Sequence, residues 1–487
     1  MIQSRYFDHF WKMARGLVPV LALMLFSGCA VGPEYQRPEA TIIPDAYIGP
    51  GQDWKVATPL ADLPRGNWWE IFGDAELNQL EADAMAANQD MKAAVSRFAQ
   101  ARAIANVAES ALFPRLGVSV QQVDQRDSKH RPVGGKPDQT YDTLTVPFDF
   151  SYEIDLWGRV KRSVEAATAQ AEAGADDVES IKLSLQAEVA ANYITLRTLD
   201  ADNALLLSSI AVYRKSLELV RNRRAGGMVS DLDVAQAETV LKTAEAQVPD
   251  IAIQRAKYQN ALAVLTGKPA SLFQLPERPL DMPPLVIPAG LPSELLERRP
   301  DIAAAERRMA AANANIGVAT AAFFPTVKLS GIAGFQSGGL DMLFDWPSNF
   351  WAVGPSVTLP LFQGGQLNAT LRQTKAVYEE TVAKYRQTVL SAFAEVENNL
   401  AGEHLLTDEY GKVLDALKSG RRQQEIAGNR YSAGLATYLE VAIAQNVALG
   451  IERTGVRLRG QQLVSVAALI KSLGGGWQAP ESGANDS

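Results

Sequence analysis

The 487-residue sequence has one cysteine and three histidines. A single cysteine cannot form an internal disulfide, and His130 and His404, the histidines of the main body, lack the spacing of metal ligands. There is no basic tract, and the formal net charge is −8, so nucleic acid is not an expected partner. No nucleophile elbow or phosphate-binding glycine loop occurs, so we predict neither an enzyme nor a cofactor.

The one cysteine, Cys29, directly follows a short apolar run. The run "GLVPVLALMLF" comes after three basic residues and is too short to span a bilayer, which is typical of a signal peptide. The sequence "LFSGCA" resembles a bacterial lipobox, in which the cysteine becomes a lipid-bearing N-terminus. We therefore predict a lipoprotein signal peptide at residues 1–28 and a covalent lipid, such as palmitate, on Cys29. A plain secretory signal with an incidental cysteine is the alternative.

Long helical patterns follow a proline- and glycine-rich stretch. Residues 29–66 predict an extended tether over the body of the protein or, equally, a disordered tail. One helix is expected over 74–112, and another over 159–224, where about 66 residues would measure about 100 Å. Paired glycines then precede a helix that begins at Ser230 or Asp231.

Four runs have the two-residue period of strands. "LGVSVQQVDQ" and "TLTVPFDFSYE" alternate apolar and polar residues around a charged, glycine-rich loop, and two comparable runs occur later in the chain. Each run is about ten residues long, the length that a tilted strand needs to cross a bilayer. An open strand edge is costly in hydrocarbon, and four strands are too few to close, so several chains should share one barrel.

The sequence is internally duplicated. "SALFPRLGVSV" matches "AAFFPTVKLSG", "DFSYEIDLWGR" matches "PSVTLPLFQGG", and "RAGGMVSDLDVAQAE" matches "RYSAGLATYLEVAIAQ", at offsets of about 211, 205 and 207 residues. We therefore predict a first repeat at 67–274, a proline-rich linker at 275–292, a second repeat at 293–473 and a C-terminal tail at 474–487.

These motifs, with "LPSELLERRPDIAAAERRMAAANANIGVATAAFFP" and a lipobox followed by "AVGPEYQRP", resemble the outer membrane factors, the TolC-like channels. The match is to the lipid-anchored branch of OprM- and NodT-type efflux channels. The resemblance implies an α+β, mostly α fold in which a homotrimer closes a 12-stranded β-barrel and an α-helical barrel. It implies a passive channel in the outer membrane of a Gram-negative bacterium, carrying drugs, toxic organics or metal ions. The implied partners are a periplasmic adaptor and an inner membrane pump, most often of the RND class.

The resemblance also implies where such a channel is gated. Leu439 and Glu440 match a leucine and an acidic ring at the helix tips, Tyr431 matches a tip tyrosine, and Ile443 replaces a second acidic residue. We expect Glu440 to line the narrowest stretch with Asp233 nearby and to favour cations, the alternative being an exposed acid at a helix N-terminus. The remaining predicted positions are the tip turns Gly226, Gly227 and Gly434 and the strand–helix junctions Trp157, Gly158, Gly364 and Gly365.

Three questions stay open from the sequence. The channel could instead be the exit duct of a type I protein secretion system driven by an ABC transporter. A lipid-anchored periplasmic coiled-coil protein would explain the helices but not the alternating strands. Finally, aromatic residues near strand ends could form an interfacial girdle or pack individually; these are Tyr141, Trp157, Trp346 and Trp351.

Overall fold

The computed structural model describes residues 30–39, 67–126, 128, 130, 140–282, 285 and 299–475. The predicted signal peptide, Cys29, much of the predicted tether and nearly all of the C-terminal tail lie outside the described residues. Within the described part of the chain, none of the helices is both long enough and apolar enough to cross a membrane.

Helices dominate the fold. They are α1 (Ala75–Ala87), α2 (Gln89–Glu109), α3 (Arg159–Ala225), α4 (Asp231–Leu265), α5 (Pro300–Ala321), α6 (Gln366–Ser432) and α7 (Tyr438–Ser472). Short 3-10 helices occupy Trp68–Phe72, Ser110–Leu112, Ala270–Leu272 and Trp346–Ser348. Helices α3 and α6 have 67 residues each, and α4 and α7 have 35 each. The lengths therefore repeat as the duplicated sequence predicts.

One predicted helix is divided. The stretch 74–112 forms α1 and α2 instead of a single helix because Asn88, with ψ of 132°, leaves the helical conformation. Its side-chain oxygen accepts the N–H of Met91 at 2.9 Å, and its side-chain nitrogen donates to the carbonyl of Leu265 at 3.0 Å. Together the two bonds satisfy the buried side-chain amide of Asn88. The bond to Met91 also caps the start of α2, as the side chain of an N-cap residue does.

The strands form one antiparallel sheet. They are β1 (Arg115–Val118), β2 (Gln121–Arg126), β3 (Thr140–Ile154), β4 (Thr326–Ser337) and β5 (Asn349–Thr358). Their order is β1-β3-β4-β5, and β2 also pairs with β3.

The first predicted strand is interrupted, which the sequence analysis did not anticipate. Strands β1 and β2 share one register against β3, with Arg115 opposite Ser151 and Gln121 opposite Thr145. The gap faces Pro147, which has no N–H to donate to the ladder. Only the reverse bond remains there, from the N–H of Ser119 to the Pro147 carbonyl at 3.2 Å.

The chain forms two compact units, and each draws on both halves of the sequence. The strand unit comprises the described residues between 30 and 39, between 98 and 174, and between 305 and 385. The helix unit comprises the described residues between 67 and 97, between 175 and 304, and between 386 and 475.

The helix unit contains a buried charge cluster around Asp200. Arg197 and Arg255 each donate to this carboxylate at 2.6 Å. Arg197 also donates to the carbonyl of Pro276 at 2.8 Å, and Arg255 to that of Leu275 at 2.8 Å. The cluster therefore fastens the beginning of the proline-rich linker to α3 and α4. Because both arginines and the aspartate have several partners, no charge is buried alone.

The strand unit has one strongly apolar sheet face. The register aligns Val118, Phe148, Ala333 and Trp351 in one row across β1, β3, β4 and β5. Val118, Phe148 and Trp351 are 62%, 60% and 73% exposed in the single chain. The opposite face is more polar, with Asp149 in the row that follows. Alternation along each strand therefore produces one apolar and one polar face, as the two-residue period predicts.

Candidate gate at the helical turns

Two turns in the helix unit connect the long helices in pairs, and their backbones are alike. Between α3 and α4, the N–H of Gly227 donates to the Arg224 carbonyl at 2.9 Å. Between α6 and α7, the N–H of Gly434 donates to the Tyr431 carbonyl at 3.0 Å. The φ angles of Gly227 and Gly434 are 74° and 75°, in the left-handed region that favours glycine after a helix. Gly226 lies in the first of these turns.

The first turn is closed by charged side chains. Arg224 binds both carboxylate oxygens of Asp231, at 2.7 and 3.0 Å. Ser230 caps α4 in a reciprocal box, in which the N–H of Ser230 donates to Asp233 at 2.9 Å. The hydrogen bond from the Ser230 side chain, supported by backbone N–H groups that include that of Tyr438, holds the pKa of Asp233 below its usual range. Asp233 is thus an ionised capping residue.

The second turn carries aromatic side chains at the equivalent positions. An offset of about 207 residues aligns Arg224 with Tyr431 and Asp231 with Tyr438. The two tyrosine rings meet edge to face, with centroids 5.6 Å apart and planes at 75°. Both rings are buried. An ion pair in the first turn is therefore replaced by an aromatic pair in the second.

Arg223 joins the two turns. Its guanidinium donates to the carbonyl oxygens of Tyr431 at 2.9 Å and of Ser432 at 3.0 Å, and lies 4.7 Å from the centroid of the Tyr431 ring. Carbonyls at the end of a helix have no partner within the helix, and the C-terminal end carries partial negative charge. The cation of the first turn therefore caps α6 in the second turn.

Three of the predicted constriction residues lie on an uncovered face of α7. Leu439, Glu440 and Ile443 are exposed, and the Glu440 carboxylate lies 3.8 Å from the Arg430 guanidinium. Glu440 and Ile443 also line a groove of about 550 Å³ between α6 and α7. Glu440 occupies the position of Asp233 in the duplicated turn, yet it is solvent-exposed and makes no cap. Its pore-lining role stays a prediction.

The predicted junction residues lie in the strand unit, where β3 leads to α3 and β5 to α6. The indole N–H of Trp157 donates to the Pro325 carbonyl at 2.8 Å, and its ring stacks on Phe324 with centroids 4.7 Å apart. Trp157 thus packs against the second repeat. Positive φ angles occur at Gly158, Gly364 and Gly365, at 73°, 57° and 85°.

Sequence reasoning missed Arg223, Tyr438 and the Arg224–Asp231 pair. Aligning the two turns residue by residue would have identified the equivalent positions, but not the contact that Arg223 makes between them. Among the described residues, no group of three or more His, Cys, Asp or Glu side chains is placed to hold a metal ion.

Comparison with known proteins identifies the family. A sequence model described as "Outer membrane efflux protein" matches residues 80–268 and 291–475. The chain belongs to the outer membrane efflux protein family. It is 35% identical over 460 residues to the toluene efflux pump outer membrane protein TtgF of Pseudomonas putida, spanning 93% of this chain and 95% of TtgF. It is 33% identical over 423 residues to the pyoverdine export outer membrane protein OpmQ of Pseudomonas aeruginosa, spanning 85% and 88% of the two chains.

The fold is similar to that of solved outer membrane channels. The Campylobacter jejuni CmeC outer membrane channel superposes with a TM-score of 0.85 at 26% identity, over 93% of this chain and 96% of CmeC. The predicted membership of the outer membrane factors and the mostly helical fold class are therefore confirmed. The predicted outer membrane location and efflux function are confirmed as well. The family consists of transport proteins.

Proposed function

We propose that this efflux protein is the exit duct of a tripartite pump, working as a homotrimer with a periplasmic adaptor and an inner membrane pump of the RND class. Its similarity to proteins named for toluene efflux and pyoverdine export supports small organic molecules as cargo. The duct is passive, because a water-filled tube supplies a path while the pump supplies the energy.

The apolar row across the sheet carries this proposal. Val118, Phe148 and Trp351 expose large side chains to one side of four paired strands. Side chains of this kind suit the lipid-facing side of a membrane barrel, whose lumen side is polar. Four residues separate the end of β3 from the start of α3 at Arg159, and seven separate the end of β5 from the start of α6 at Gln366. Both long helices therefore follow strands of the sheet after short connections.

The sheet edges support a trimer. Among the described strands, β5 pairs only with β4, while β1 and β2 pair only with β3. An unpaired edge in hydrocarbon costs several kcal/mol for each unsatisfied backbone group. Pairing β5 of one chain with β1 and β2 of the next satisfies both edges. Three chains, each contributing four strand positions, give the 12-stranded barrel implied by the family resemblance.

We also propose that Cys29 carries a covalent lipid that holds the chain at the outer membrane. The lipobox sequence supports this modification. One acyl chain gives only marginal membrane binding, so a lipid on Cys29 would add to the attachment provided by the barrel.

The first experiment is the native mass of the protein extracted from outer membranes in mild detergent, with mass spectrometry of the N-terminal peptide. A trimer with acyl chains on Cys29 is the expected result. A monomer would contradict the shared barrel, and an unmodified Cys29 would contradict the lipid anchor while leaving the barrel intact.

A genetic comparison tests the partners. Deleting an RND pump encoded beside this protein should produce the same sensitivity to toxic organic compounds as deleting the protein itself. Loss of a secreted protein, with unchanged sensitivity to small molecules, would instead indicate a type I secretion duct.

A further inference from the structure

Residues 30–37 form a segment without regular secondary structure in the strand unit, and they contact α3, α5 and α6. The segment begins beside the junction of β3 and α3, where the N–H of Val31 donates to the Trp157 carbonyl at 3.0 Å. Neither a helix nor a strand forms here, so contacts with the rest of the unit must determine the conformation of the segment.

Glycines allow the backbone of the segment to lie close to the backbone of the rest of the strand unit. A Cβ atom on Gly32, whose φ is 100°, would lie 2.5 Å from the Cα atom of Gly317. A Cβ atom on Gly158 would lie 2.5 Å from the Cβ atom of Ala30. Contacts this short have no room for a side chain, and two of the three glycines are also in the left-handed region. The surface of the strand unit around Gly158 and Gly317 is therefore complementary to the backbone of the segment.

Buried polar groups recognise the next residues. The side chain of Arg162 is only 3% exposed, and it contacts Glu34 at 2.5 Å and Glu165 at 2.7 Å. Asn313, also buried, donates from its side chain to the carbonyl of Pro33 at 3.1 Å. Glu34 itself is 77% exposed, so it reaches from the surface to a cation that the unit holds in place.

The end of the segment is held by a second charged group. Arg37 lies 3.3 Å from the carboxylate of Glu306 and donates to the hydroxyl of the buried Tyr385 at 3.1 Å. The hydroxyl of Tyr35 donates to Glu306 at 3.4 Å, and its ring packs on a buried alanine cluster, Ala169, Ala310 and Ala311. Anchors at both ends thus define the register of the segment.

The anchoring groups come from both halves of the duplicated sequence. Trp157, Gly158 and Arg162 belong to the predicted first repeat, whereas Asn313 and Tyr385 belong to the second. We propose that residues 30–37 act as a built-in peptide ligand that fastens the two repeats together in the strand unit. Ala30, the first residue of this site, directly follows Cys29 in the sequence, so docking fixes the chain immediately after the proposed lipid attachment. Only this last point rests on the proposed function.

The docking can be tested on the full-length protein in detergent by hydrogen exchange of the Val31 amide and by thermal unfolding. Gly32→Ala is the test variant, and Gly365→Ala is its matched control. Gly365 has a φ of 85° with nothing within 4 Å of an added Cβ, so its variant has the strained backbone without the clash. The Val31 amide should exchange at least about tenfold faster in Gly32→Ala than in Gly365→Ala. Gly32→Ala should also unfold at a lower temperature than Gly365→Ala. Wild-type exchange in Gly32→Ala would overturn the proposal.

Two further variants separate docking from folding and from the lipid. Glu34→Gln removes the charge that reaches Arg162 and, because Glu34 is exposed, should leave the fold intact while exchange of Val31 rises about threefold or more. Cys29→Ser should leave the exchange unchanged, and faster exchange in this variant would show that the lipid holds the segment. Neither readout depends on transport, so a failed export assay with Val31 still protected would count only against the proposed function.

Discussion

Arg223, at the end of α3, donates a hydrogen bond of 2.9 Å to the carbonyl oxygen of Tyr431, at the end of α6. The same guanidinium lies over the Tyr431 ring, whose other neighbour is the ring of Tyr438. One arginine thus links the turn of the first repeat to an aromatic pair in the second. In the proposed channel, this link would restrain the two helical turns against separation.

Replacing Arg223 with alanine should loosen this link. The change removes two hydrogen bonds and a cation at a helix C-terminus, and the charge at that helix end alone contributes about 0.3–1 kcal/mol. If the turns form the gate, a loss of about 1 kcal/mol would raise the population of the open state about fivefold. Single-channel recording in planar bilayers measures this population directly.

Arg221→Ala is the control for the Arg223 variant. Arg221 also lies near the end of α3, but it pairs with Glu238 on the exposed surface of the first turn's two helices. Such exposed pairs contribute little. Equal changes in the open-state population of the two variants would show that the link from Arg223 to Tyr431 does not restrain the channel.

Glu440→Gln should weaken cation preference without affecting stability. The side chain is exposed, and among the described residues its ionic neighbour is Arg430, 3.8 Å away, so removing the charge leaves no buried group unpaired. A ring of three such carboxylates in a narrow pore would favour cations. The reversal potential in a KCl gradient reports the preference, and an unchanged potential would place Glu440 outside the constriction.

Asp233→Asn should destabilise the first turn and leave ion selectivity nearly unchanged, although Asp233 occupies the position equivalent to Glu440. This carboxylate accepts hydrogen bonds from Ser230 and completes the capping box of α4, and loss of a cap costs about 1 kcal/mol. We expect faster proteolysis of the turn and a small change in reversal potential. A large change in selectivity with a resistant turn would mean that Asp233 faces the pore.

The sequence predicted regular features of the fold well because they follow from local patterns. A proline-free run predicted a helix over 159–224, which the structure forms as Arg159–Ala225, and the Ser-Asp pair predicted a start at Ser230 or Asp231, which the structure places at Asp231. The division at Asn88 was not predictable, because it depends on a bond to Leu265, 177 residues away. Likewise, the gap between β1 and β2 depends on Pro147 in the partner strand, which only the register reveals.

The candidate gate was predictable only in part for the same reason. Family resemblance identified Tyr431 and Glu440 as positions at the second turn, but gave no contact between the turns. Arg223 lies 208 residues before Tyr431, and the neighbouring Arg224 points to a different partner, Asp231. Adjacent arginines with separate roles cannot be distinguished by spacing, since their environments arise from tertiary packing.

Trp351 provides a test of the apolar sheet face. Replacing it with phenylalanine should remove a large part of the fluorescence that brominated lipids quench in reconstituted vesicles, because the exposed indole would contact acyl chains. Trp68→Phe is the control, since Trp68 is fully buried in the helix unit. If both variants lose the same quenchable fraction, the apolar face does not contact lipid.

Glu81 makes the stability of the helix unit depend on pH. Its side chain is fully buried in α1, and neither carboxylate oxygen has a hydrogen-bond partner among the described residues. Burial disfavours the charged form and raises the pKa of Glu81 to about 9 from its usual 4.5. The native carboxyl is therefore protonated at neutral pH, whereas the carboxyl of the unfolded chain is ionised.

The sign of the effect follows from proton counting. Between pH 4.5 and about 9, the native state binds one more proton at Glu81 than the unfolded state, so stability falls as pH rises, by up to about 1.4 kcal/mol per pH unit. Glu81→Gln keeps a neutral side chain at every pH, so thermal unfolding of this variant should be less sensitive to pH, and the variant should be more stable than wild type at pH 8. Glu109→Gln, at an exposed glutamate, controls for the general loss of charge. A wild-type pH slope in Glu81→Gln would mean that the native carboxyl is already ionised, and that a partner or water reaches it within the core.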